Sequence, residues 1–518
     1  MLRLTRPILK IAVLGTGLLC AIAPGLATAQ EELLDLLQAG RAAEALAAIE
    51  AGADVNASQG DGSTALHWAV YRLDEGLVEA LLERGAQANV INAFGSSPLG
   101  EAVNAASSPL VARLLDAGAD ADSPNTDGQT ALMLAARVGS AAIAGQLIEH
   151  GANINAVENW RGQTALMWAA DAASSDVVRL LLDAGADPTV QAVANEWGAQ
   201  ITSEPRAQYR PRGGLTALHY AARSGCSACI DPLLAAGAEI DRPNPDGVNA
   251  LMIALDNYRF ETAQRLLDQG TNPHVWDWWG RTALYVAVDS SGAARRRRGA
   301  VAPPAPSSVT ALDVARRILE AGVEPNSQLN MHRPSRGGNS GRFVDDLLTT
   351  GATPLLRAAM GQDTAMVELL LEHGARVDLP NVMGVTPLMA VAGMGISPRD
   401  RKINVSGNVQ ERVIATLDVL LGAGADITAA VVPSFNRTAR IARPSSMTER
   451  EGQTALFGAV KWAWIDVVDF LLENGADPTL TDVRGLTAED AALGRTGGRD
   501  NVASEAIAER LRGQASRQ

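Results

Sequence analysis

A five-residue motif, Gly-x-Thr-[Ala/Pro]-Leu, returns along this chain at a fixed step and limits what it can fold into more than any other feature. It reads Gly62-Ser63-Thr64-Ala65-Leu66, then Gly128-Gln129-Thr130-Ala131-Leu132, then Gly162-Gln163-Thr164-Ala165-Leu166. Further copies begin at Gly95, Gly214, Gly247, Gly280, Gly351, Gly384, Gly452 and, as a variant, Gly485. The steps Gly62–Gly95–Gly128, Gly214–Gly247–Gly280, Gly351–Gly384 and Gly452–Gly485 are each 33 residues. A second motif, Leu-Leu-x-x-Gly-Ala, follows most copies, as at Leu81–Ala86, Leu181–Ala186 and Leu471–Ala476. A chain of 518 residues would ordinarily divide into three or four domains. A fixed period instead predicts one supersecondary unit stacked many times, burying its core repeat by repeat.

Each part of the period has a physical role. Thr caps a short helix by accepting from its early N–H groups, and Ala or Pro suits the first turn. Ala-Ala pairs such as Ala169-Ala170 and Ala221-Ala222 let helices approach closely. The second helix carries apolar residues at i, i+3 and i+4 and ends on a left-handed Gly. Polar pairs such as Asp246-Gly247 make tight turns between repeats.

These two motifs at this spacing resemble the ankyrin repeat, and His67 and His219 complete its Thr-Ala-Leu-His form. The resemblance covers about nine-tenths of the chain beyond residue 30 and implies an all-α solenoid of helix-turn-helix units joined by β-turn or hairpin loops. A degenerate capping repeat is expected over 30–58, repeats over 59–291, an insertion-split repeat over 292–350, repeats over 351–483, and a capping repeat with a tail over 484–518. Insertions at about 193–212, 327–350 and 429–450 lie between repeats, where ankyrin proteins place hairpin fingers. Those at about 292–308 and 396–411 lie between the two helices of a repeat. The first of these holds Arg295–Arg298 and Pro303-Pro304-Ala305-Pro306, which read as an extended mobile loop. Its four arginines suit a nuclear signal or a polyanion contact, or else a solvated, protease-sensitive loop.

Arg3, Arg6 and Lys10, an apolar run from Ile11 to Leu19 and the small-residue site Ala27-Thr28-Ala29 read as a secretory signal over 1–29, cut before Gln30. The chain resembles exported bacterial members of the family. It is expected in the periplasm of a Gram-negative cell, or secreted. Cleavage leaves 41 basic and 58 acidic side chains, a net of −17. That charge argues against nucleic acid as a partner. No later apolar run reaches the ~18–20 residues of a membrane span.

The chemistry-bearing residues are few. No catalytic motif of the metalloprotease, nucleophile-elbow or P-loop kind occurs, and no Cys/His cluster has zinc spacing. The chain is therefore expected to be non-enzymatic, to take no cofactor or metal, and to act as a monomer that binds another protein. The pair Cys226 and Cys229 leaves three readings open: a buried small hydrophobe at Cys229, a structural disulfide in an oxidising compartment, or a thiol-redox centre. With aromatics at only 4% of the chain, Trp276, Trp278 and Trp279 around Asp277 stand out in a turn that is usually polar. Phe94 and Trp160 hold comparable turns. Such aromatics suit partner anchors, or packing against neighbouring insertions. Trp68, Trp168 and Tyr220, by contrast, are expected in the inter-repeat core. In the ankyrin family, partners contact turn tips and the exposed ends of first helices. By position, the resemblance nominates Tyr71, Arg72, Arg137, Asp171, Arg223, Asp256, Asn257, Asp289, Lys461 and Trp462. Binding of a partner through the concave face follows as the expected function, with a secreted effector acting on host proteins as the alternative.

Overall fold

In a computed structural model the described residues are 26–194, 213–291, 308–330, 351–394, 408–432, 450–495 and 503–516, with 26–32 described in backbone only. The signal-peptide basic start, the Arg295–Arg298 run and the interiors of all five insertions lie outside them.

Each repeat begins where a capping side chain closes the start of a helix. Thr130, Thr164, Thr353 and Thr386 sit in extended backbone, and each Oγ1 accepts from the N–H three residues on, at 3.1–3.4 Å. Where His follows, the cap is doubled. His67 Nδ1 lies 3.2 Å from the Thr64 N–H that donates to it and 2.9 Å from Thr64 Oγ1. His219 does the same for Thr216 at 3.1 and 2.8 Å. The second helix ends on a glycine at positive φ, such as Gly185 at 94°. There the Gly185 N–H donates to the Leu182 carbonyl at 3.0 Å and the Ala186 N–H to Leu181 at 2.9 Å. This left-handed cap uses up the last free carbonyls.

The chain divides into two compact units, Met1–Thr126 and Asp127–Gln518. Among the described residues the first contains three helix pairs: Leu26–Ala39 with Ala42–Glu50, Ala65–Tyr71 with Glu75–Glu83, and Pro98–Asn104 with Ser108–Asp116. Its first helix runs through the predicted cut before Gln30. The second unit contains nine pairs among the described residues. They begin with Ala131–Val138 and Ala141–Glu149, Ala165–Asp171 and Ser175–Asp183, Ala217–Ser224 and Ser227–Ala235, and Ala250–Asp256 and Phe260–Asp268. Ala283–Ser291 with Ala311–Glu320 and Pro354–Gly361 with Thr364–Glu372 follow. Pro387–Val391 with Val409–Gly422, Ala455–Lys461 with Ile465–Glu473, and Ala488–Ala492 with Glu505–Ala515 complete the series. Within each unit the fold is an all-α repeat solenoid.

The core follows the repeat. First helices are buried almost all round, as with Ala165, Leu166, Met167, Ala169 and Ala170, while second helices bury one stripe, as with Val177, Val178 and Leu181. A buried Leu contributes about 1.5–3 kcal/mol, so each added repeat extends one apolar seam. Between-repeat insertions leave this seam through paired stems. The Ala192 N–H donates to Leu215 at 2.9 Å, Leu329 to Ala352 at 3.0 Å, and Val431 to Gln453 at 2.9 Å.

Candidate functional site

Many turns between repeats are fingers built on one side-chain acceptor. In the first unit Asn92 Oδ1 accepts from the N–H groups of Phe94 and Ser96, both at 3.0 Å. In the second unit buried Glu158 accepts from Trp160 at 2.6 Å, Arg161 at 2.7 Å and Gln163 at 3.1 Å. Asp277 accepts from Trp279 at 3.0 Å and Arg281 at 2.8 Å. Neighbouring fingers are joined by backbone bonds, including Val193 N–H to Arg161 at 2.7 Å and Trp278 N–H to Asp246 at 2.9 Å.

These frames hold apolar side chains out in water. Phe94 is 78% exposed, Trp160 75%, Trp276 67% and Trp278 43%, while Trp279 is half-buried. Val157, Val193, Val432 and Val483 are also exposed at finger positions. Arg161 lies over the Trp160 ring, 4.6 Å from its centroid. Beneath the tryptophan finger, buried Arg281 donates from Nε to Asp277 at 2.6 Å and from both terminal nitrogens to Asp256 at 3.1 and 3.0 Å. Burial opposes the guanidinium charge, but the two carboxylates outweigh it and raise the Arg281 pKa. Burial pushes the Asp277 carboxyl up against the pull of Arg281. The finger is thus preorganised by a largely buried ion triad, with two exposed rings at its tip.

The inner ends of the first helices carry a different pattern, in which most charged groups are spent inside the protein. Tyr71 is exposed, its ring edge-on to half-buried Trp68 at 6.0 Å. Arg137 is exposed and lies over the half-buried Trp168 ring at 5.5 Å. Arg223 ion-pairs with Asp171 at 2.7 Å and covers the buried Tyr220 ring at 4.6 Å. Asn257 donates to the Ile253 carbonyl at 2.8 Å, and Lys461 is half-buried.

Two of the nominated residues, Trp462 and Asp289, need correction as surface groups, and Arg72 is exposed but engaged within the protein. Trp462 is only 9% exposed, stacks on Trp464, and donates from Nε1 to the Gly393 carbonyl at 2.9 Å. Asp289 is buried and holds Arg357 at 2.5 Å. Arg72 turns back on the end of the preceding helix pair's first member, donating to Leu37 at 2.7 Å and to Gln38. A basic group there meets the negative end of a helix dipole.

Cys226 and Cys229 are joined by a disulfide, with both residues buried and Cα atoms 5.3 Å apart. Burial lowers the pKa of His67, and that of His219 to about 4. Both rings serve the caps described above. Among the described residues no group of three or more His, Cys, Asp or Glu side chains could hold a metal ion, and no helix is long and apolar enough to cross a membrane.

One recurrent residue was overlooked in the sequence. Asn155 donates from Nδ2 to the Gly185 carbonyl at 3.1 Å and accepts from the Asp187 N–H at 2.9 Å, clamping one repeat to the next. Asn56, Asn89 and Asn326 make the same pair of bonds to their following repeats. The signal was an Asn four residues after the glycine that ends a second helix.

A family model described as Ankyrin repeats (3 copies) matches residues 33–124, 99–192 and 218–297, and one described as Ankyrin repeat matches 350–382 and 451–483. The protein named "Probable E3 ubiquitin-protein ligase XBOS32" from Oryza sativa subsp. japonica is 34% identical over 185 residues, 35% of this chain and 35% of that protein. E3 ubiquitin-protein ligase XBAT33 from Arabidopsis thaliana is 33% identical over 173 residues, 33% of this chain and 32% of that protein. The B-cell lymphoma 3 protein homolog of Mus musculus is 29% identical over 196 residues, 37% of this chain and 36% of that protein. The chain therefore spans about a third of the length of each of these relatives. The expectation, drawn from missing catalytic motifs, that the chain is non-enzymatic is overturned by the two plant relatives, which are named E3 ubiquitin-protein ligases and match it over about a third of their length. With family models covering more than half of its residues and an all-α fold of helix pairs, the chain belongs to the ankyrin-repeat family.

Proposed function

We propose that the chain is a protein-recognition scaffold whose partner is held by the fingers and the inner ends of the first helices. The observation that carries this reading is the tryptophan finger. Two large rings are kept in water by a network of buried Asp277 and Arg281 with half-buried Asp256, an arrangement that lowers the ordering cost of binding. Inner-face charges such as Arg223 and Asp171 pair with each other, so the apolar fingertips are the groups with most to gain from a partner. We further propose export to the periplasm or beyond, through the N-terminal segment with Arg3, Arg6 and Lys10. The Cys226–Cys229 disulfide supports an oxidising compartment.

The test is affinity capture on the full chain and on a Trp276→Ala/Trp278→Ala variant, with bound proteins identified by mass spectrometry. The variant is expected to lose a protein that the parent retains while its helical circular dichroism stays the same. Equal capture by both removes the fingertip assignment. Fractionation of the native cells tests export, and recovery in the cytosolic fraction alone rejects it.

The relatives' names favour a second reading, in which the repeats deliver a bound protein to ubiquitin transfer. It requires ubiquitin-transfer components among the captured proteins.

A further inference from the structure

In several repeats a side chain at the N-cap of the second helix satisfies one of its first N–H groups, whereas Ser107, Ser174, Arg259 and Trp464 make no such bond. Asp74, Ser140 and Asp363 stand at the N-cap, and each side chain accepts from the third helical residue. The partners are Leu77 at 3.1 Å, Ile143 at 3.3 Å and Met366 at 3.3 Å. In the repeat that begins at Gly214 the same two positions are Cys226 and Cys229. There a sulfur–sulfur bond joins the two residues that a capping hydrogen bond joins elsewhere, and the Cys226 side chain makes no capping hydrogen bond. Cys229 also fills the apolar site that Leu77, Ile143 and Met366 occupy in their repeats.

We propose that the Cys226–Cys229 disulfide is a redox-conditional helix cap, closed in an oxidising compartment and opened by a dithiol reductant. One thiolate of the reductant attacks a protein sulfur, breaking the S–S bond and forming a mixed disulfide. Its second thiol then displaces the protein thiol and leaves as the reductant's own disulfide. Two electrons and two protons end on Cys226 and Cys229. A thiol accepts hydrogen bonds weakly, so the reduced helix keeps a poorer cap than Asp74, Ser140 and Asp363 supply in their repeats. Because both cysteines are buried, the attack needs the helix start to open, which ties reduction to local unfolding.

The position matters for the surface. Ser227 Oγ lies 2.8 Å from Thr262 Oγ1, and Asp231 accepts from Arg265 Nε at 2.9 Å, so Ser227–Ala235 is linked to the second helix of the next repeat. Arg223, three residues before Cys226, carries the inner-face ion pair with Asp171. Opening the cap loosens the segment that places Arg223.

The experiment is amide hydrogen exchange by mass spectrometry on the full chain, with and without dithiothreitol, alongside a thiol count. The oxidised parent is expected to gain two thiols on reduction. Exchange over 227–235 should then quicken about fivefold, the size of one lost N-cap, while the helices capped by Asp74 and Asp363 stay unchanged. A Cys226→Asp/Cys229→Val variant, which rebuilds the cap used elsewhere, should be as slow as the oxidised parent and indifferent to reductant. Cys229→Val alone should exchange fast in both conditions. Three results overturn the proposal: free thiols with unchanged exchange, a disulfide that resists dithiothreitol in the folded chain, or equal quickening in the Asp/Val variant.

Discussion

Arg281 reaches back to Asp256 in the first helix of the preceding repeat, its two terminal nitrogens 3.1 and 3.0 Å from the two carboxylate oxygens. The same guanidinium holds Asp277 through Nε, so one side chain supports both the tryptophan finger and the repeat before it. Arg281→Met should therefore leave two carboxylates short of their partner, at about 3–5 kcal/mol. Denaturant unfolding followed by tryptophan fluorescence checks this. A change under about 1 kcal/mol would show that water replaces the guanidinium freely.

The two kinds of tryptophan should separate cleanly by stability. Trp278→Ala removes an exposed ring and should change the unfolding free energy by no more than about 0.5 kcal/mol. Trp462→Ala removes a ring packed on Trp464 and bonded to Gly393, and should cost about 3–5 kcal/mol. Thermal midpoints of the two variants decide the matter, and similar losses would mean that Trp278 is packed in solution.

Asn155→Ala cuts both bonds of one inter-repeat clamp. Its exposed position keeps the expected loss to about 1–2 kcal/mol, read as faster amide exchange at Ala186 and Asp187. Unchanged exchange there would mean that packing alone fixes the spacing of repeats.

His219 makes the fold acid-sensitive in a defined window. Its folded pKa of about 4 lies below the unfolded value near 6.5, so the unfolded chain binds more protons between these limits. Stability from this group is full above pH 6.5 and is lost as pH falls toward 4, by at most roughly 3 kcal/mol. Protonation at Nδ1 would also set a proton against the Thr216 N–H that donates there. His219→Gln should flatten the pH dependence of the midpoint between 4 and 6.5. An unchanged slope would assign the effect to other groups.

The architecture was readable because its causes are local. A capping Thr, a pair of alanines and a left-handed glycine recur at fixed spacing, and each acts within a few residues. The exposure of the fingertips was not readable in this way, since packing against the neighbouring insertions was an equal expectation for Phe94, Trp160, Trp276 and Trp278, and only the fold places them in water. Trp462 was not readable. It follows a first helix as Arg72 does, yet Gly458 lets that helix come so close that a Cβ there would lie 2.7 Å from the Ala392 carbonyl oxygen. That approach brings the indole to Gly393, 69 residues earlier. Asp289 and Arg357 meet across 68 residues, and a repeat period says nothing about which charges pair at such separations.

The paired stems at Ala192–Leu215, Leu329–Ala352 and Val431–Gln453 bear on how such a protein can change over time. Each stem closes its inserted segment against itself, so the stacked helices do not register how much chain lies beyond it. Doubling such a segment costs only about 0.6 kcal/mol in closure entropy, less than the loss of one buried leucine. The inserted segments are therefore where new sequence can be tried without putting the repeats at risk.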